Sequence, residues 1–289
     1  MESGSIEVDG EICEGYYRIE ALEPGKPVQP IATLIFVPDD SDFSHRRWTG
    51  SANARSVLVP ASDRKFDQGE YVERGDDGAR WVADKLRESL KAPVVVAGSV
   101  TLDRNYVFDL NSSHLEGCWK LLASIGWCLQ ISETGIVTVM PVPTVPSATY
   151  DSATVRPKIR RKLPIDDVPN VVRVWYRGDV AEAVNDDPES PTSVRRRHGR
   201  RIEHVESSPT LVNGETLDDY AQRRLDEKGD IYERYEIERD WIAGALPYSC
   251  IYMQLAEASI QGSCSVMSQD IECGHGISVS ETVGRRANG

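Results

Sequence analysis

Several signatures are missing from this chain of 289 residues, and each absence removes a class of function. No glycine-rich turn leads into Lys-Ser/Thr, the pattern whose converging backbone donors cradle a phosphate. There is no HExxH and no CxxC, so His45, His114, His198, His204 and His275 lack metal-ligand spacing. His204-Val205-Glu206 has the first half of a zinc deaminase pattern, but the PCxxC segment that would complete it is absent. Gly276-Ile277-Ser278-Val279-Ser280 lacks the second glycine that a strained nucleophile elbow needs. Nowhere do about 20 apolar residues run together, which excludes a helical membrane span. The acidic start, MESGSIEVDGE, lacks the basic and apolar regions of a secretory signal, so folding in the cytoplasm is expected. The six cysteines, at 13, 118, 128, 250, 264 and 273, then read as reduced thiols rather than a disulfide framework.

Positive charge is scarce as well. With 33 basic against 46 acidic side chains and a net charge of -13, the chain lacks the basic footprint of a dedicated duplex binder. Aromatic residues make up 7% of the chain, too few to suggest a glycan-stacking surface. Adjacent acids (Asp39-Asp40, Asp76-Asp77, Asp166-Asp167, Asp186-Asp187, Asp218-Asp219) occur in turns and at helix starts, where they solvate or cap. No catalytic, cofactor-binding or metal-binding constellation stands out.

What is present alternates between strand and helix signals. Residues 1–62 read as strands and turns, with IATLIFV (31–37) a continuous apolar strand ended by Pro38 and the aspartates after it. In DDGARWVADKLRESLK, Ala79, Val82, Ala83, Leu86 and Leu90 recur at helical spacing. Ser113 stands three residues before Glu116, a capping-box pattern opening a second helix that Gly126 closes. WCLQI-SETG-IVTVMPVP reads as a hairpin, so 63–142 form a small α/β unit. Prolines at 141, 143, 146 and 157 mark 143–169 as a strand-and-linker connection. From Asn170 to the C-terminus the chain is β-rich again, interrupted by one helix that Thr216 caps and Gly229 stops.

One stretch remains unexplained by folding alone. Two basic clusters stand out in an acidic chain, RPKIRRK (156–162) and RRRHGRR (195–201). The second places Arg195, Arg196, Arg197, Arg200 and Arg201 on a loop, because Pro188 and Pro191 precede it and Gly199 interrupts it. Three roles are open: an intrachain-paired or solvated surface, docking onto an acidic protein partner, and nucleic-acid contact. The last lacks interleaved aromatics and a groove-reading helix.

The order of features here is more specific than any one of them. NVVRVWYRGDVAEAVNDDPESPTSVRRRHGRRI is followed by NGETLDDYAQRRL, by strands, and by VMSQDIECGHGISVSE. Upstream stands FDLNSSHLEGCWKLLASIGWCLQISETGIVTVMPVP. From about 105 to 283 this series resembles the tail hub proteins of contractile phage tails and related prophage particles. The resemblance implies a mainly β chain: two tube-like β-barrel or sandwich domains plus a small α/β domain. The first barrel would comprise 1–62 and 143–169 around the insert 63–142, and the second 170–289. It further implies a structural virion protein without cofactor or enzyme activity, assembled in the host cytoplasm and located in the baseplate of the tail. The implied assembly is a homotrimer adapting a sixfold tail tube to a threefold central spike. Implied partners are the tube protein, the spike protein, other baseplate proteins and the tape measure, with no sequence-specific nucleic acid. The five arginines would lie at a subunit or tube contact. A phage-tail cell-wall hydrolase and a host-glycan-binding tail module are the alternatives, though no lysozyme-like or peptidase domain is appended.

Overall fold

The computed structural model describes residues 3–9, 13–22, 27–44, 47–108, 111–163, 165–207, 216–229, 232–273 and 277–286. Its elements run in chain order as follows. Strands β1 (Ser3–Asp9), β2 (Gly15–Ala21), β3 (Gln29–Ser44) and β4 (Arg47–Ser56) precede the short helix α1 (Val59–Asp63). Then come β5 (Tyr71–Val72), α2 (Gly78–Ser89), β6 (Val94–Val96), β7 (Tyr106–Val107), α3 (His114–Ser124), β8 (Trp127–Ile131) and β9 (Val137–Pro141). They are followed by β10 (Ala148–Asp151), β11 (Val155–Lys162), β12 (Val171–Tyr176), β13 (Asp179–Val184), β14 (Glu203–Ser207) and α4 (Leu217–Gly229). The last strands are β15 (Tyr232–Asp240), β16 (Cys250–Leu255), β17 (Ile260–Cys273) and β18 (Ile277–Arg286). The architecture is mainly β, with few helices. None of the described helices is long and apolar enough to cross a membrane.

Two compact units emerge. The first comprises Met1–Tyr150 and Trp241–Gln254, the second Asp151–Asp240 and Leu255–Gly289. In the first, an antiparallel sheet runs β1-β4-β3-β2. Here the expected end of the strand at Pro38 is overturned. β3 continues to Ser44, and a register shift between Pro38 and Asp40 takes up the irregularity. A bulge is one of the few interior places where a sheet tolerates a residue without an N–H.

The α/β insert has its own core, in which Leu86, Leu115, Leu121, Leu122, Val137 and Val139 are fully buried. Both helices start where expected. Asp77 accepts from the backbone N–H groups of Ala79 and Arg80, and Ser113 from that of Glu116 at 3.1 Å. The Glu116 side chain closes the box on the Ser113 backbone and also pairs with Lys120, an i,i+4 partner, at 2.9 Å. β8 and β9 form the expected hairpin, and β6 adds in parallel to β9.

Against this core stack Phe66, Phe108 and Trp81, with ring centroids 4.2 and 4.8 Å apart along the series. Gly117 on α3 makes room for them. A Cβ there would lie 2.8 Å from Phe108 Cδ1 and 2.9 Å from Phe66 Cζ. Gly117→Ala should therefore lower stability by about 1–3 kcal/mol through overpacking, although alanine is the better helix former by ~1 kcal/mol. Urea unfolding followed by tryptophan fluorescence would measure it.

His114 is buried at the first turn of α3, with Nδ1 3.0 Å from Ser89 Oγ. Burial, then the nearby Lys85 charge, hold its pKa below the usual histidine value. Four of the six free cysteines are buried, with Cys13 and Cys273 exposed. Burial pushes the Cys118 thiol up to about 12 and Cys128 to about 11, so both stay protonated.

The second unit holds two sheets. β17, β18, β15 and β11 lie side by side in that order, antiparallel throughout. The other sheet runs β13-β12-β14, with β14 parallel to β12. Helix α4 covers one face of it, packing Tyr220, Ala221 and Leu225 onto Val172, Val174, Ala181 and Ala183. Thr216 caps α4 as expected, its hydroxyl accepting from the Asp219 N–H at 3.1 Å.

Candidate assembly interface

The arginine block belongs to an ordered excursion between β13 and β14. Its shape is set from below by Asn170, which is fully buried at the start of β12. The Asn170 amide donates to the carbonyls of Thr192 (3.0 Å) and Arg200 (2.9 Å), while its oxygen accepts from the Ile202 N–H at 2.7 Å. One side chain thereby ties together three points of the loop. Asn185 adds a second tie, donating to the hydroxyls of Ser190 (2.9 Å) and Thr192 (3.2 Å) and accepting from the Asp187 N–H. Ser190, Thr192 and Ser193 are buried accordingly. Buried polar groups keep their place only when paired, and here each of these side chains has a partner. The loop is preformed.

All five predicted arginines fall within this excursion, but they do different things. Arg196 Nε donates to the Pro188 carbonyl at 2.9 Å, and Arg197 donates to the carbonyl of Ile165. Arg201 pairs with Glu182 at 2.5 Å and with Glu203 at 3.6 Å, joining the neighbouring Arg173–Glu182 pair across the open face of β12-β13-β14. Arg200 lies 3.4 Å from Asp166, with both side chains mostly exposed. Arg195 differs. It is exposed, and among the described residues its guanidinium has no partner. The intrachain-paired reading thus describes four of the five, and Arg195 alone among them is exposed without a side-chain partner among the described residues. Next to the arginines a cavity of about 370 Å³ is lined by Asp186, Asp187, Asp226 and Gln222 among others, so opposite charges border each other on this surface.

Beneath the loop, His204-Val205-Glu206 has a structural job. Glu206 on β14 accepts from His204 Nε2 (2.9 Å), Tyr220 Oη (2.9 Å) and Arg224 Nε (3.0 Å), clamping α4 to the sheet. Burial alone would raise its pKa, but these hydrogen bonds and the Arg224 charge outweigh that and hold it at about 2. A carboxyl depressed in the folded state stabilises fully above its unfolded value near 4.5, and that contribution fades as pH falls toward 2. With solvent screening discounted it is worth on the order of 1–2 kcal/mol. Glu206→Gln should flatten the stability-against-pH curve between 4.5 and 2, and acid titration of thermal unfolding checks it.

Sequence reasoning missed the residues that build the loop. Asn170 and Asn185 flank the β12–β13 hairpin, and an asparagine just outside an apolar strand was the available signal. It also missed the role of the first basic cluster. RPKIRRK forms β11, and its bases answer the acids of β15: Arg156 lies 3.2 Å from Asp240, Arg160 3.6 Å from Glu236, and Arg161 pairs with Glu233. Among the described residues no group of three or more His, Cys, Asp or Glu is placed to hold a metal ion.

No family model matches the chain, and no curated relative does either. Solved structures do. The chain is similar to the tail protein from Neisseria meningitidis MC58, with 13% identity, a TM-score of 0.65, and 98% of this chain and 92% of that one covered. The chain shares the fold of this tail protein. A second match, the 43 kDa tail protein of prophage MuSo2 from Shewanella oneidensis, has 12% identity and a TM-score of 0.59 over 97% of this chain and 93% of that one. A third, prophage tail protein gp18 from Listeria monocytogenes EGD-e, has 9% identity and a TM-score of 0.52 over 99% and 88%. At such identities the likeness is one of fold, and it runs through both units rather than resting on one motif.

Proposed function

We propose that the protein is a structural component of a phage-type tail, acting as a homotrimeric baseplate hub between a sixfold tube and a threefold spike rather than as an enzyme. The observation that carries this reading is the extent of the likeness: 98% of the chain aligns with 92% of a solved tail protein. In this reading 1–62 with 143–169 form one tube-like barrel, 170–289 the other, and 63–142 the insert. The core that runs from Val57 to Val139 supports a separate insert, while β11 within 143–169 pairs with β15 of 170–289. Tube and spike proteins, other baseplate proteins and the tape measure are the proposed partners, in the virion tail assembled in the host cytoplasm. The arginine loop is the proposed docking surface, with Arg195 as its contact residue.

The test is native mass of the purified chain, alone and mixed with its tube subunit. A three-chain species that binds tube is expected; a chain that stays monomeric and ignores the tube subunit would refute the reading. Arg195→Glu should weaken assembly about tenfold through charge repulsion at the contact while leaving the melting temperature unchanged. Reversing Arg196 or Arg197 is a poorer probe, because they hold the backbone carbonyls of Pro188 and Ile165.

A further inference from the structure

The sheet β17-β18-β15-β11 has complementary margins, and nothing in the proposed function assigns them a role. β11 is its terminal strand on one side. It carries Arg156, Lys158, Arg160, Arg161 and Lys162 within eight residues, and Arg160 is 71% exposed. Lys158 has no partner among the described residues. At the other end of the series β11-β15-β18-β17, β17 is a long strand of 14 residues. Its second half, Ser268–Cys273, pairs residue by residue with β18 and is otherwise largely exposed. That half carries Asp270 and Glu272, again without ion-pair partners among the described residues. Ile271 between them is 37% exposed. A basic terminal strand and an acidic strand half thus lie at the two ends of the series β11-β15-β18-β17, within a sheet whose order continues past β17.

An exposed edge offers unpaired N–H and C=O groups to any strand that can reach it. The direction of the strands decides which one fits. β11, β15, β18 and β17 alternate, so β11 and β17 run opposite ways. If a second copy is placed beside the first in the same orientation, its β17 meets β11 antiparallel, the ordinary pairing. Asp270 and Glu272 then face Lys158 and Arg160 across the joint. The sheet is already curved: Lys158 and Arg160 on β11 and Asp270 on β17 line one concave cavity of about 390 Å³.

We propose that the acidic second half of β17, residues 268–273, pairs with the basic edge strand β11 of a second copy of this chain. Two different surfaces meet in such a contact, so it is heterologous and repeats around a ring until the rotation closes. This deepens the hub reading and rests on it for the number of copies, three.

Charge exchange tests it. Native mass across a concentration series, with the tube subunit present if the free chain is monomeric, is measured for three variants. Lys158→Glu with Arg160→Glu should raise the dissociation constant between copies about tenfold or more, as should Asp270→Lys with Glu272→Lys. A chain carrying all four changes, with the two margins exchanged, should return to near the wild-type constant. Circular dichroism and melting temperature confirm that each variant folds. A wild-type oligomer that both reversals leave unchanged overturns this contact while the hub reading stands. Loss in both reversals without recovery in the fourfold variant also overturns it. A chain that remains monomeric with and without its tube subunit overturns this contact, and if it also fails to bind tube it overturns the hub reading.

Discussion

Arg239→Met, with Glu281 left in place, should destabilise the second unit by about 3–5 kcal/mol, the largest single effect expected in this protein. The two side chains are 1% and 0% exposed, with Arg239 Nε 2.5 Å from a Glu281 carboxylate oxygen. Arg239 also donates to the Asp240 carbonyl at 3.0 Å, and Gln269 donates to the second Glu281 oxygen at 3.3 Å. Removing the guanidinium takes the Arg239 charge away from a buried carboxylate, and its desolvation is then far less well compensated. Replacing both partners behaves differently. Arg239→Met with Glu281→Leu should recover most of the loss, because two apolar side chains need no partner there. Denaturant unfolding of the three proteins measures the coupling. If the double variant is as unstable as the single one, the pair is not the source of the effect.

The second large effect concerns the loop. Asn170→Leu fills the same volume but deprives the Thr192 and Arg200 carbonyls and the Ile202 N–H of their partner. Each buried group left unsatisfied costs about 1–3 kcal/mol, and partial solvation of a loosened loop reduces the sum to roughly 2–4 kcal/mol. A second readout separates loop release from general weakening. Arg195, Arg196 and Arg197 are trypsin sites, and in the folded loop their backbone is tied into turns: Arg197 N–H to the Ser193 carbonyl at 3.0 Å, and Gly199 N–H to that of Val194 at 2.9 Å. Native-state trypsin should cut the variant there well before it cuts the wild type. Equal cleavage rates would show that Asn170 does not hold the loop.

These two sites also mark where the sequence is legible and where it is not. Helices α2, α3 and α4 carry apolar residues at helical spacing with a side-chain oxygen at the N-cap, so period and cap agree. The hairpin β8–β9 shows alternation around a glycine-containing turn. β15 shows neither signal. Its inward positions are Glu233, Tyr235, Ile237 and Arg239, so binary patterning reads YERYEIERD as solvated throughout. The carboxylate of Glu233 is buried because Arg285 (2.7 Å) and Arg161 answer it from the adjacent strands. Those partners lie 52 and 72 residues away, beyond any local pattern. β3 was misjudged at Pro38 for the opposite reason, since a strong local breaker was accommodated by a bulge.

The candidate site divides along the same line. That arginines would sit on a loop was readable from Pro188, Pro191 and Gly199. Which arginine is available was not, because the ties of Arg196, Arg197 and Arg201 run to carbonyls and acids elsewhere in the fold.

The buried asparagine scaffold under this loop has an evolutionary consequence. Since Asn170, Asn185, Thr192 and Ser193 dictate the backbone path from inside, Arg195 is released from the duty to the fold that Arg196 and Arg201 carry. Position 195 can drift, or change sign, without unravelling what lies beneath. A change of side chain there alters the exterior of the loop while the underlying frame stays untouched.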